Sequence, residues 1–130
     1  MAATDILDVI RCYGRQYVVV FAVFYPQATS APTLAANQSR GVASVARSAA
    51  GRFLLTLDDP HHHLVAAIAT TQLATAADMQ AQIGTISNLG SSSATTVVVR
   101  TIAGATETDI AANANNSVSV LLVFGESDAF

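Results

Sequence analysis

The chain has 130 residues, of which 52% are hydrophobic and 12% charged, and its formal net charge is −3. This length fits a single domain, and a negative charge without any basic run argues against nucleic-acid binding. The single cysteine, Cys12, excludes a disulfide within the chain, and the most apolar run, Val18 to Phe24, is too short to span a bilayer.

The charged fraction is about half of that in a typical soluble domain. One small domain cannot bury so much apolar surface, so part of it is expected to contact another molecule, most simply a second copy of the chain. The alternative is a surface of Ala, Val and Thr that is merely uncharged. All six basic residues are arginine, a residue enriched at interfaces because its planar group pairs bidentately and is weakly hydrated. The base composition of the genome would produce the same bias.

Residues 1–14 form an N-terminal arm with two possible conformations. Thr4 or Asp5 could cap a short helix that ends near Ile10, and an extended arm fits equally well. Asp5 and Asp8 interrupt the apolar residues and no basic segment precedes them, so no secretion signal is expected. The protein is therefore expected to be made in the cytoplasm.

Residues 16–25 predict the first strand of the domain. Its side chains are apolar on both faces, which indicates a central strand or one with a covered outer face. Pro26 is expected to end it. Residues 26–40, which include Pro32, predict a long surface loop.

Residues 41–57 predict a β-hairpin. Small residues lie between Arg47 and Arg52, with Gly51 placed where a positive φ is needed. Phe53, Leu55 and Leu57 recur at every second position and are expected to face the core. Because a lone hairpin is not stable in water, further strands must pack against it.

Residues 61–76 are ambiguous, because Asp59 and Pro60 would begin a helix well. The β-branched Thr70 and Thr71 and the lack of a charged stripe favour a strand over Leu64–Leu73.

The remaining segments predict strands over 79–87, 95–103 and 117–125, joined by a turn at 88–93 and a polar loop at 104–116. About seven strands in all predict an all-β fold, a β-sandwich or jelly-roll-like barrel that forms one domain over residues 15–130.

No catalytic or metal site is expected. Adjacent residues of an extended chain point to opposite faces, so His61–His63 cannot bind one metal within a chain; a metal on a symmetry axis is the alternative, and a solvated loop end is favoured. There is no Gly-x-Ser-x-Gly motif, and Ser44, which follows Gly41 by three residues, lies in a predicted strand with apolar partner positions. Glu107 and Asp109 lack the spacing of an acid–base pair, and no phosphate-binding loop is present. The chain is therefore predicted to be neither an enzyme nor a cofactor-binding protein.

Several stretches resemble small structural proteins of tailed bacteriophages, of the type that decorate or cement the head. The resemblance covers roughly residues 8–127 and lies in Tyr17–Val23, Arg40–Arg47, Gly51–Asp58, Thr95–Thr101, and Asp109 ahead of Val118–Phe124. It implies a β-rich module, often trimeric, on the outer surface of the virion head, where it clamps neighbouring major capsid subunits. The implied partners are two further copies of the chain and the major capsid protein, with no catalytic residues, cofactor, nucleic acid or membrane.

The candidate contacts with the capsid or a sister chain lie on the first strand and at four arginines: Tyr17, Val19, Phe21, Arg40, Arg47, Arg52 and Arg100. Strand addition to an exposed sheet edge is the expected mode of contact. The alternatives are a phage tail or host-contact module, which binds a receptor or glycan, and a small β-barrel enzyme or sugar-binding domain. The first would be expected to have aromatic pockets, and the chain has only three Tyr, five Phe and no Trp.

Overall fold

A computed structural model of the protein describes residues 9–12 and 15–125, with side chains from Tyr17 onward. Within this part of the chain, no helix is long and apolar enough to cross a membrane. A single turn of 3-10 helix lies at Ala36–Gln38. The strands are β1 Val9–Cys12, β2 Arg15–Gln27, β3 Ser30–Leu34, β4 Val42–Ala49, β5 Arg52–Leu57, β6 His63–Gln72, β7 Gln80–Ser87, β8 Thr96–Ala103, β9 Thr106–Glu107 and β10 Ser117–Gly125.

The strands form two five-stranded sheets with antiparallel pairing. Sheet A has the order β1-β2-β10-β6, with β3 also paired to β2, and sheet B has the order β4-β5-β8-β7, with β9 paired to β8. The predicted all-β sandwich is therefore confirmed. Each antiparallel sheet buries one of its faces, and this is the physical reason for the alternating pattern of the sequence.

The core lies between the sheets and is formed by every second residue of the central strands, together with Ile110 from the loop after β9. Phe24 of sheet A and Phe53 of sheet B meet with ring centroids 5.0 Å apart. The predicted inward face of β5 is confirmed, since Phe53, Leu55 and Leu57 are buried. The cluster consists of Val20, Ala22, Phe24, Phe53, Leu55, Leu57, Val97, Val99, Ile110, Val118, Val120, Leu122 and Phe124.

The hairpin predicted over residues 41–57 is formed by β4 and β5. Its turn requires glycine, because Gly51 has a φ of 63° and is buried against the loop after β9. A Cβ atom at this position would lie 2.3 Å from the backbone nitrogen of Thr108. The backbone N–H of Thr101 also donates a hydrogen bond to the carbonyl of Gly51 in this turn.

The predicted loop over residues 26–40 is wrong in part. Strand β2 continues past Pro26 to Gln27, because a register shift between Tyr25 and Gln27 removes the proline from the ladder. Residues 30–34 then form β3, which contains Pro32. Its pairing with β2 alone explains why proline, which lacks an N–H group, is tolerated there.

The strand over Leu64–Leu73 is confirmed as β6, and those predicted near residues 79–87, 95–103 and 117–125 as β7, β8 and β10. The predicted polar loop over 104–116 contains the two-residue β9.

The N-terminal arm is described over Val9–Cys12, where it is the strand β1 and pairs with Arg15–Val18. This supports the extended alternative at these four positions, and the rest of the predicted arm lies outside the described residues.

Candidate interaction surface

The outward-facing side chains of β2, β10 and β6 form a surface that we call the outer face of sheet A. Leu121 of β10 lies between Phe21 of β2 and Ile68 of β6 in the register of the sheet. Ser119 lies in the same way between Val23 and Thr70. These six residues define the surface.

This surface is apolar and partly open to solvent. Phe21 is 45% exposed and Ile68 55% exposed, while Leu121 between them is half-buried. A shallow groove of about 320 Å³ runs over both rows, and Gln38 of the 3-10 turn contributes to its lining. An exposed apolar patch of this kind, formed by neighbouring large side chains, is typical of an interaction site.

The sequence produces this surface because the central strands of sheet A are apolar on both sides. The inner side of β2 contributes Val20, Ala22 and Phe24 to the core, and the opposite side keeps Phe21 and Val23. Tyr17–Tyr25, Ser117–Gly125 and His63–Gln72 contain no Asp, Glu, Lys or Arg. Sheet A therefore has no charged side chain along these three segments.

Ser39 and Arg40 cover the edge of β2 beside this surface. The backbones of Phe21 and Arg40 exchange two hydrogen bonds of 3.1 and 2.8 Å. The Ser39 hydroxyl accepts a hydrogen bond from the Val23 N–H at 3.0 Å. The exposed Arg40 is thereby fixed next to Phe21.

The three predicted contact residues of β2 lie on one side of that strand. Tyr17, Val19 and Phe21 alternate with the inward residues, so all three point away from the core. Their exposure differs, because Phe21 is exposed, Tyr17 is half-buried and Val19 is buried.

Arg52 and Arg100 lie on the other side of the sandwich, on the outer face of sheet B. They are neighbours in the register of β5 and β8, and Glu107 lies between their side chains. Arg52 donates two hydrogen bonds to Glu107, of 2.9 and 2.7 Å, and the Arg100 Nε lies 3.8 Å from the same carboxylate. The hydrogen bond from Arg52 lowers the pKa of Glu107, with a smaller contribution from the charge of Arg100.

Arg47 is engaged within the chain as well, through a two-point ion pair with Asp109. This hydrogen-bonded pairing raises the pKa of Arg47 and lowers that of Asp109. Arg47, Arg52 and Arg100 thus each lie beside a carboxylate of the loop that contains β9. A contact with another chain would have to use these ion pairs as they stand or break them.

The structure therefore brings four of the seven predicted contact residues to one side of the molecule and places three elsewhere. Tyr17, Val19, Phe21 and Arg40 belong to sheet A or its edge, whereas the other three arginines lie at sheet B. Sequence reasoning missed Ile68 and Leu121. The available signal was that each alternates with inward-facing residues of its strand, β6 or β10. Only the strand order shows that both lie beside Phe21.

The three adjacent histidines do not converge. His61 is buried and its ring stacks on Phe124, with centroids 4.2 Å apart. This corrects the prediction of a solvated loop end, because an aromatic ring of the core covers this imidazole. His62 and His63 are exposed. In the part of the chain that is described, no three His, Cys, Asp or Glu side chains are grouped to hold a metal ion.

Comparison of this chain with models of protein families, with curated proteins and with solved structures finds no match.

Proposed function

We propose that this protein decorates the head of a tailed bacteriophage, where it binds the lattice of major capsid proteins as an oligomer and stabilises the shell. The observation that supports a binding role best is the outer face of sheet A, an uncharged surface on which Phe21, Leu121 and Ile68 form a continuous row. The resemblance to phage head proteins supports the choice of the capsid as partner.

The physical features of the surface suit attachment to a lattice. An open apolar face buries area without requiring a deep pocket, so it fits a broad contact with a protein shell. Each contact can be weak, since an oligomer that engages several lattice positions gains effective affinity from its linked sites.

Binding to the assembled shell but not to free capsid subunits would stabilise the shell by mass action, as a ligand stabilises the state that it binds. Heads that lack the protein should still assemble and package DNA. They should release that DNA at a lower temperature, or after a smaller osmotic or ionic challenge, than decorated heads.

The experiment compares purified phage particles with and without the gene for this chain, heated side by side with a DNA-binding dye. A lower release temperature for the deletion particles, restored by adding the purified protein, is the expected result. The variant Phe21→Asp should fail to restore it, whereas Gln82→Asp on β7, an exposed position away from the outer face of sheet A, should restore it fully.

Equal release temperatures for bare and decorated particles would reject the stabilising role. Detection of the protein in purified tails, together with loss of adsorption in the deletion phage, would favour the alternative of a tail or host-contact module.

A further inference from the structure

The inference concerns the edges of the two sheets. An edge strand exposes unpaired backbone N–H and C=O groups that pair readily with another strand, and proteins usually block such edges with charge, proline, bulges or short length. Three of the edges that the structure describes are protected in this way. Strand β4 contains Arg47 and two register shifts, β7 has a register shift between Ile83 and Ile86, and β3 contains Pro32.

The remaining edge strands that the structure describes are β1, which has only four residues, β9, which has two, and β6. The ladder of β6 with β10 has one register shift, which leaves Val65 unpaired, and is regular over residues 66–72. These seven residues, Ala-Ala-Ile-Ala-Thr-Thr-Gln, include no charge and no proline. Among the described residues, no backbone hydrogen bond outside the β10 ladder involves them. Strand β6 is thus the edge without a protecting feature over its regular length.

We propose that this edge is the self-association surface of the protein, where β6 pairs antiparallel with β6 of a second copy across a twofold axis at Ala69. Residues that lie opposite each other in an antiparallel pair point to the same face of the sheet. In two copies of one strand, the two opposite positions must therefore be both even-numbered or both odd-numbered. Centring the pair at Ala69 uses all seven regular residues, with Ile68 opposite Thr70 of the partner subunit and Ala66 opposite its Gln72.

The charge distribution favours a second copy as the occupant. Between Asp59 and Arg100 the chain has one charged residue other than histidine, Asp78, and this range supplies both β6 and β7. Two copies with a net charge of −3 each can therefore meet on this side without placing like charges opposite one another. A strongly charged partner would find no complementary group there.

The size of this side is sufficient for a dimer. Strand β6 has ten residues, which extend over roughly 33 Å, and the two sheets with their outer side chains are roughly 20 Å thick. The area of this side is therefore of the same order as the surface that each partner buries in a stable complex, which is about 800 Å². The exposed side chains of Leu64, Val65 and Ile68 lie on this strand and would lose solvent contact.

The pairing also extends the outer face of sheet A. Ile68 ends the row that begins at Phe21. In this pairing Ile68 lies opposite Thr70 of the partner subunit, so the row continues into the second row of the other copy, which consists of Thr70, Ser119 and Val23. The dimer would present an apolar face of double width. This inference does not rest on the capsid role, because it concerns the isolated chain.

The first test measures the mass of the purified full chain by sedimentation over about 1–100 µM. The wild type is expected to be a dimer. Thr70→Lys introduces the kind of charge that protects natural edges and should weaken association at least tenfold. Gln82→Lys places the same charge at an exposed position of the bulged edge β7 and should leave association unchanged. Circular dichroism with thermal melting shows whether each variant is folded.

The second test uses Ala69→Cys in a Cys12→Ser background, since residues directly opposite on two strands are close enough for a disulfide. Mild oxidation should give a covalent dimer, at least tenfold faster than for Ala81→Cys on β7. A monomeric wild type, or a trimer as the family resemblance implies, would overturn the twofold pairing. Equal masses for wild type and folded Thr70→Lys, or equal cross-linking of the two cysteine variants, would do the same.

Discussion

Arg47 and Asp109 form a two-point ion pair that connects the β4–β5 hairpin with the loop after β9. The Arg47 Nε donates to Oδ1 of Asp109 at 3.0 Å and its Nη2 donates to Oδ2 at 2.7 Å. The backbone N–H of Gly51 donates to the same carboxylate at 2.9 Å. Asp109 thus accepts three hydrogen bonds and holds the hairpin turn against a loop that is distant in sequence.

This pair predicts how stability depends on pH. The hydrogen bonds from Arg47 hold the pKa of Asp109 below its ordinary value, and the Gly51 N–H adds to this, although partial burial opposes it. A depressed pKa in the folded state stabilises the protein above the unfolded pKa of about 4, and this contribution is lost as the pH falls toward the folded value. Asp109→Asn should therefore melt at a lower temperature than wild type at pH 7, and the difference should shrink below pH 4.

The control for this prediction is Asp59→Asn, which removes an exposed carboxylate and should change the melting temperature little at either pH. Thermal melts at pH 7, 5, 4 and 3 measure both variants. A difference between wild type and Asp109→Asn that stays constant over this range would contradict the assignment.

Gly51 and Gly90 give a matched pair of substitutions in the turns. Both have positive φ values, of 63° and 72°, so alanine is strained by about 1–2 kcal/mol at either position. At Gly51 the new Cβ would also overlap backbone atoms of Thr101 and Thr108, whereas at Gly90 it would meet nothing within 4 Å. Gly51→Ala is expected to cost more than about 3 kcal/mol and Gly90→Ala about 1 kcal/mol. Urea unfolding measures both, and equal losses would show that the close approach at Gly51 relaxes at no cost.

The two faces of β5 predict different costs of truncation. Leu55 is fully buried between the sheets, so Leu55→Ala should lower the free energy of unfolding by about 2–5 kcal/mol. Leu54 is half-buried on the opposite face, and Leu54→Ala should cost less than half as much. Urea unfolding of both variants tests this, and similar losses would mean that the outer face of sheet B is covered.

Cys12 is predicted to have no role in covalent assembly, because the chain has a single cysteine and can form no internal disulfide. Cys12→Ser should leave both the mass of the oligomer and its melting temperature unchanged. A nonreducing gel of freshly purified wild type provides the direct check. An obligatory disulfide-linked dimer on that gel would show the prediction to be wrong.

The sequence by itself was sufficient for the fold class and for the inward faces of the long strands. Strand β5 has a large apolar residue at every second position, and the same holds for Val118, Val120, Leu122 and Phe124 of β10. This period of two survives in any packing that buries one face. The sequence was insufficient to predict β3, because two prolines in residues 26–34 indicate a loop. An edge strand tolerates proline because one of its sides has no ladder, and a position at the edge is not visible in the chain order.

The tertiary structure decided which apolar residues form a surface and which arginines are already paired. Phe21 and Ile68 lie on strands that are distant in the sequence, and β10, the last strand, brings them together by pairing between β2 and β6. The same long-range pairing places Arg47 beside Asp109, so a composition that indicated interface arginines could not distinguish contacts within the chain from contacts between chains. Local periodicity determines how a segment folds, because it acts between neighbours in the chain. Strand order determines surfaces, ion pairs and open edges, because these depend on residues that meet only after the two sheets have packed.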